Sequence, residues 1–283
     1  MAQVMPGQQE GYDDRQAVHR NPDFASVSKA SHRGQTHCIL EELNWLCRSY
    51  RHMDTPLPPR PAIIAEYGPV YTLRNVARIP GDGGSYINLR NLIGRNEASN
   101  ASRVQIEVPI RKGTFRLYYA PLAIHGQGSL GEASTFKDVT FAAGVPTDAL
   151  YEFRSYRFTY RKPWKTTAGW QLELGGTMKV RDATISLRQP TVSSAEANIG
   201  WVPLVHIAGK KQLSPKSTVT FDLDALGGGP GRAIDLGVRA NYAIGNDYSA
   251  GIGVRTIEGG ADVDRVFNFA WFATPVLTIT RLL

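Results

Sequence analysis

One stretch, GWQLELGGTMKVR at residues 169–181, constrains the fold more than any other. Its even positions are Trp170, Leu172, Leu174, Gly176, Met178 and Val180, and its odd positions are Gln171, Glu173, Gly175, Thr177, Lys179 and Arg181. A period of two held for this long is a strand with one apolar and one charged face. The pattern recurs. Tyr156, Phe158 and Tyr160 alternate with Arg157, Thr159 and Arg161, and Val219, Phe221 and Leu223 with Thr218, Thr220, Asp222 and Asp224. Ile234, Leu236, Val238, Ala240 and Tyr242 alternate with Asp235, Arg239 and Asn241. A chain of such ribbons must give the apolar face of each a place out of water.

Ten candidate strands follow, at 67–79, 101–110, 114–126, 151–161, 169–181, 200–210, 217–226, 232–244, 249–258 and 266–283. Short connections after Ile110, Arg161, Lys210 and Ile244 alternate with longer ones, of which 80–100, 126–150 and 182–199 are the longest. Neighbours in sequence would then pair, and closure would remove the edges. The expected fold is all-β: a closed antiparallel up-and-down transmembrane β-barrel of about ten strands over residues 62–283, with both termini at the short-turn end. Residues 1–61 form a non-barrel N-terminal extension. Its first 37 residues read as disordered, 38–53 as a short amphipathic helix, and DTPLPPRP as a stiff linker.

Alternation alone also suits a soluble barrel with its apolar face inward. Three features favour the membrane. Charges of both signs fall mid-strand at Arg74, Arg116, Arg157, Glu173, Lys179, Asp222, Asp224, Arg239 and Arg255, where a narrow lumen would let them pair. Tyr160, Trp164 and Trp170 flank one short turn and Tyr242 and Tyr248 another, as an interfacial girdle would. The strands are also longer than the usual ~5–6 residues of soluble sheets. Gly176, Gly237, Ala240 and Ala250 leave the apolar face light, which lipid accepts more readily than a packed core. The alternative is a soluble β-barrel carrier of a small apolar ligand, with every face reversed. Pro109, Pro121, Pro203 and Pro275 each remove a ladder hydrogen bond, and a barrel without edges would need bulges there.

The segments EYGPVYTLRNVARIPGDGG, TFAAGVPTDALYEFRSYRFTYR and EGGADVDRVFNFAWF resemble those of small Gram-negative outer-membrane β-barrel proteins. The resemblance covers Glu66 to Leu283 and implies an outer-membrane location. Members of that class end on an aromatic residue and carry a secretory leader. This chain ends TITRLL and shows no leader, departures that bear on export and assembly rather than on fold.

Little points to chemistry. The net charge of +7 is scattered over turns and strand faces, so no nucleic-acid partner is expected. Cys38 and Cys47 match no zinc spacing, and neither a metal nor a cofactor is implied. GGGPG lacks the lysine of a phosphate loop, and Asp262 and Asp264 lack the remaining ligands of a calcium loop. His125 and His206 sit in no catalytic motif, and Asp222 and Asp224 are more simply paired by lumen arginines than catalytic. Ten-stranded outer-membrane proteases keep a barrel hydrolase in view, yet by resemblance their histidines and acids lie at the loop-side rim. The expectation is a monomeric barrel with a charged, plugged lumen. Its role would be structural, or ligand binding through the loops, with outer-membrane lipid as its surroundings.

Overall fold

The computed structural model describes residues 60–93 and 99–283. The extension at 1–61, with both cysteines, lies outside them except for Arg60 and Pro61. Thirteen strands follow in chain order: β1 (Ala62–Arg78), β2 (Ile87–Asn88), β3 (Ser99–Ile110), β4 (Gly113–Ser129), β5 (Ser134–Phe136), β6 (Val139–Phe141), β7 (Pro146–Thr167), β8 (Trp170–Arg188), β9 (Ser193–Gln212), β10 (Ser217–Gly228), β11 (Gly231–Ile244), β12 (Tyr248–Val263) and β13 (Val266–Leu282). The ten long strands run as an antiparallel meander, and β13 closes it by pairing with β1 from Ala62↔Leu282 to Arg78↔Phe267. Between β7 and β8, Ala168 and Gly169 take φ of +49° and +79°, the tight turn that the twist of paired strands favours.

The outer face answers the question posed by residues 169–181. Leu174 and Met178 are exposed, while Thr177 and Lys179 are buried in the lumen. Leu117, Phe158, Val205, Val238, Ile252 and Leu277 continue the exposed apolar belt on other strands. Tyr160, Trp164, Tyr242 and Tyr248 project outward near the short turns, and Trp170 packs on Phe221 at 5.4 Å. Tyr71, Tyr156, Trp201 and Trp271 form a second outward group further up. Trp201 stands about ten residues from the turn end of β9, matching the ~9–11 residues a tilted strand needs to cross a bilayer.

Above that second group the strands continue and their polarity inverts. On β8 the inward residues change from Thr177 and Lys179 to Ile185 and Leu187, while Asp182, Thr184 and Arg188 turn outward. Lipid no longer surrounds the wall there, so the apolar side must turn inward to leave water. The stretches 126–150 and 182–199 are therefore largely strand rather than loop, because their alternation persists with its phase reversed. The connection expected to be polar at 80–100 instead folds into this upper barrel. Its Ile87, Leu89, Leu92 and Ile93 are each at most 3% exposed and pack with Leu122, Ile124, Tyr151, Ile185, Leu187 and Phe272. Phe136 and Phe141 of the β5–β6 hairpin complete the plug.

Two further expectations change. Arg74 is not in the lumen: a bulge between Thr72 and Arg74 shifts the β1–β13 register, so Arg74 lies outside with its guanidinium 5.6 Å from the Phe269 ring. Gly237 faces inward, where a Cβ would stand 2.6 Å from Arg255 Nη2. It makes room for that guanidinium instead of lightening the lipid face.

The prolines mark places where pairing stops on one side. Pro109 lies beyond the last β1–β3 pair, at Glu107, and Pro275 lies where the β1–β13 ladder is interrupted. Pro121 lies beyond the last β3–β4 pair, Val104↔Tyr119, and Pro203 beyond the last β9–β10 pair, Val205↔Ala225. The wall thus has two seams in its upper half. The plug fills the β3–β4 seam: a Cβ on Gly126 would lie 2.4 Å from Leu92 O. No such segment covers the β9–β10 seam among the described residues.

Candidate functional site

The lower lumen is a layer of ion pairs set by strand parity. Asp222 and Asp224 from β10 and Asp235 from β11 meet Arg116 from β4, Arg157 from β7, Arg239 from β11 and Arg255 from β12, with Glu66 from β1 opposite. Asp224 is 3.0 Å from Arg116, 2.9 Å from Arg157, and accepts from Thr177 at 2.7 Å. Asp235 takes Arg157 and Arg255, each at 2.5 Å. Arg255 reaches three acids, adding Asp222 and Glu66 at 3.1 Å, while Arg239 joins Glu66 to Asp222. Tyr118 fills the centre, with the guanidiniums of Arg157, Arg116 and Arg255 at 4.8, 5.5 and 5.6 Å from its ring. Below this layer Arg161 binds Glu107 at 2.9 Å and Glu173 at 2.6 Å, which places Glu173 nearer the short-turn rim.

Of the lumen residues read from the sequence, Arg116, Arg157, Asp222, Asp224, Arg239 and Arg255 come together in this layer, Glu173 lies below it, and Lys179 lies on its upper side. Glu66, Asp235 and Tyr118 are members of the layer that the list of lumen charges missed, as it missed Arg161 below it. Asp235 was on the polar face of its strand, so parity could have found it. Glu66 stands just outside the expected start of the first strand, and only the observed start at Ala62 brings it in.

His206 Nδ1 and Asp224 Oδ1 are 2.7 Å apart, both side chains fully buried, with Arg116 Nη2 3.4 Å from the same ring nitrogen. Arg116, Arg157 and Thr177 surround the couple. His125 lies exposed on the outer side of β4. Among the described residues no group of three histidine, cysteine or acidic side chains is arranged to hold a metal.

Between this layer and the plug lies a cavity of about 300 Å³, walled by Phe153, Val202, Leu226, Ala233, Ile257 and Phe272. Lys179 and Arg181 of β8 line it as well.

Above the bilayer, Glu196 of β9 ties three elements together. It is 2.6 Å from Arg265 in the β12–β13 turn and 3.3 Å from Lys137 in the β5–β6 turn. Burial would raise the carboxyl, but hydrogen bonds from Arg265 and Lys137 outweigh it and hold Glu196 below its usual range. A depressed folded value means the tie is complete above the ordinary glutamate range and fails as pH falls through the depressed value. Trypsin cleavage after Lys137, normalised at each pH to trypsin's activity on an unfolded substrate, should therefore be unchanged between pH 7 and 5. Glu196→Gln should raise it a few-fold at pH 7, since pairs this exposed are worth at most about 1 kcal/mol. Equal cleavage of the two proteins would show that the tie does not hold the hairpin.

No protein-family model and no curated protein matches the chain. Solved structures do. The outer membrane protease OmpT from Escherichia coli aligns with a TM-score of 0.53 at 6% identity, covering 81% of this chain and 99% of its own. The translocator domain of the autotransporter NalP from Neisseria meningitidis aligns at 0.43 and 10% identity, covering 86% and 95%. Neisserial surface protein A aligns at 0.35 and 12% identity, covering 79% and 97%. The closed ten-stranded meander, the apolar belt and the two aromatic groups make the chain a transmembrane β-barrel, and the first of these likenesses shows that it shares the fold of an outer-membrane protein.

Proposed function

We propose that this protein is a sealed, non-conducting outer-membrane barrel that binds a small ligand in its outer-leaflet half. The observation that carries this reading is that the lumen is blocked twice by unlike means, an ion-pair layer below and an apolar plug above. Ten strands enclose little more than their own side chains, and here those side chains interlock across the lumen. A wall that is closed below but holds a small, largely apolar cavity above is suited to binding rather than passage. In this reading the upper strands and the cavity between them, together with the connections expected to bind ligand, form the binding part.

Purified protein inserted in planar bilayers should give no steps of ion conductance at ±100 mV in 1 M KCl. Steady open-channel current from the unmodified chain would sink the sealed reading.

A further inference from the structure

β9 and β10 pair only from Thr218↔Gln212 to Ala225↔Val205. Beyond that point β9 pairs with β8 alone and β10 with β11 alone. Ile199 and Trp201, exposed at 69% and 68%, project outward from β9 at this level, among the upper aromatics. The seam therefore opens at the height of the outer leaflet. Leu226, which shares the lumen-facing parity of Asp222 and Asp224, lies next to the seam, lines the cavity and is 44% exposed.

Lys179 stands at the inner end of the cavity. It is 5% exposed and makes no hydrogen bond and no ion pair within 4.0 Å among the described residues. Its one close polarisable contact is the Phe153 ring, 4.7 Å away. Arg157 and Arg255 are engaged with carboxylates, but this amine is not. Arg181, on the same face of β8, holds Asn198 and leaves its Nε without a partner. A buried ammonium without an anion is costly, so the group either gives up its proton or gains an anionic partner.

We propose that the cavity binds a single-chain amphiphile with a carboxylate head, entering from the outer leaflet between β9 and β10. The head meets Lys179 and Arg181, and the chain lies along Phe153, Val202, Leu226 and Ile257 with its tail toward the seam. The cavity, about 300 Å³, is at the lower bound of ligand pockets and takes one acyl chain, not two. The acid Glu258 near the mouth is neutralised by Arg232 at 2.5 Å, so it does not repel an anion. This ligand class rests on the sealed-barrel reading above.

The test uses the full chain in phosphatidylcholine nanodiscs with the fluorescent fatty acid cis-parinarate as probe. Saturable binding is expected, with hexadecanoate displacing it at least about tenfold better than hexadecanol, the scale of one charge-assisted hydrogen bond. Lys179→Met should abolish that difference without lowering heat stability, because it removes an unpaired buried amine. Ala233→Phe should weaken both competitors by filling the cavity. Leu226→Trp should slow binding several-fold by narrowing the seam.

Absence of saturable binding in a barrel shown to be non-conducting would overturn this proposal and leave the sealed reading standing. Equal competition by acid and alcohol would overturn the carboxylate assignment, as would a Lys179→Met protein that is destabilised but still prefers the acid. Unchanged binding kinetics in Leu226→Trp would overturn the lateral route. Conduction by the unmodified chain is the separate result that would remove the reading beneath.

Discussion

Replacing Arg255 by methionine is expected to destabilise the folded barrel by about 3–5 kcal/mol, the cost of removing one partner from a buried ion pair. The residue is 1% exposed and its three nitrogens are shared among Glu66, Asp222 and Asp235. After its loss Glu66 keeps Arg239, Asp222 keeps Arg239 together with Arg116 at 3.5 Å, and Asp235 keeps Arg157 alone among the arginines that pair with it. Four carboxylates would then face three guanidiniums in a space that holds no room for bulk water. Lysine at the same position should recover part of the loss, since it restores the charge but not the fork that reaches three acids. Ile252→Ala provides the contrast: this side chain is 65% exposed on the outer face, so its truncation leaves no lumen group unpaired. Urea midpoints for the folded, heat-modifiable form in detergent would rank the three variants. A methionine variant as stable as the parent would mean that the layer seals the lumen without holding it together.

Leu89→Asp is expected to expel the upper plug while leaving the membrane barrel folded. Leu89 is 1% exposed among Ile87, Leu92, Ile93 and the inward residues of β4, β7, β8 and β13. A carboxylate placed there has no cation within the apolar cluster, and stripping it of water costs more than the segment gains by docking. The wall below does not depend on that docking, because its outer face is held by lipid and its inner face by ion pairs. Externally added protease should cut between residues 80 and 93 in whole cells expressing the variant and leave the parent intact. The cut protein should still migrate as a heat-modifiable barrel and should still pass no current. Current through it would show that the ion-pair layer alone does not close the lumen. Loss of the folded form would show that the plug is part of the barrel's foundation.

These expectations draw on features that the sequence disclosed unequally. The centres of all ten barrel strands were legible, because alternation such as that of Trp170 to Val180 is a local property and survives any tertiary arrangement. The charged side of the strands around Arg157, Lys179, Asp222 and Arg239 was legible for the same reason. Which acid meets which arginine was not. Glu66 and Arg255 are 189 positions apart, and closure of β13 on β1 alone brings them together. Arg74 was misplaced because a bulge displaces parity without leaving a local mark.

The plug was hidden by composition. Ile87, Leu89, Leu92 and Ile93 are interspersed with asparagine, arginine and glycine, which read as a solvated turn. The upper strands were taken for loops because their polarity runs opposite to that of the segments below, so the two halves did not read as one element. Pairing between strands is a tertiary property, and the seams could not be seen directly. The prolines were the nearest signal. Pro121 and Pro203 were read as demanding bulges, whereas each lies just past the point where one neighbouring strand departs.

The reversal of polarity along β8 also works as a waterline. Were the barrel to sink by two residues, Asp182 would enter hydrocarbon; were it to rise by as much, outward apolar residues such as Trp201 on β9 would surface into water. Each strand that changes phase at this height repeats the same penalty for displacement in either direction. The chain thereby fixes its own draught in the bilayer, and the wall itself holds the mouth between β9 and β10 at one depth.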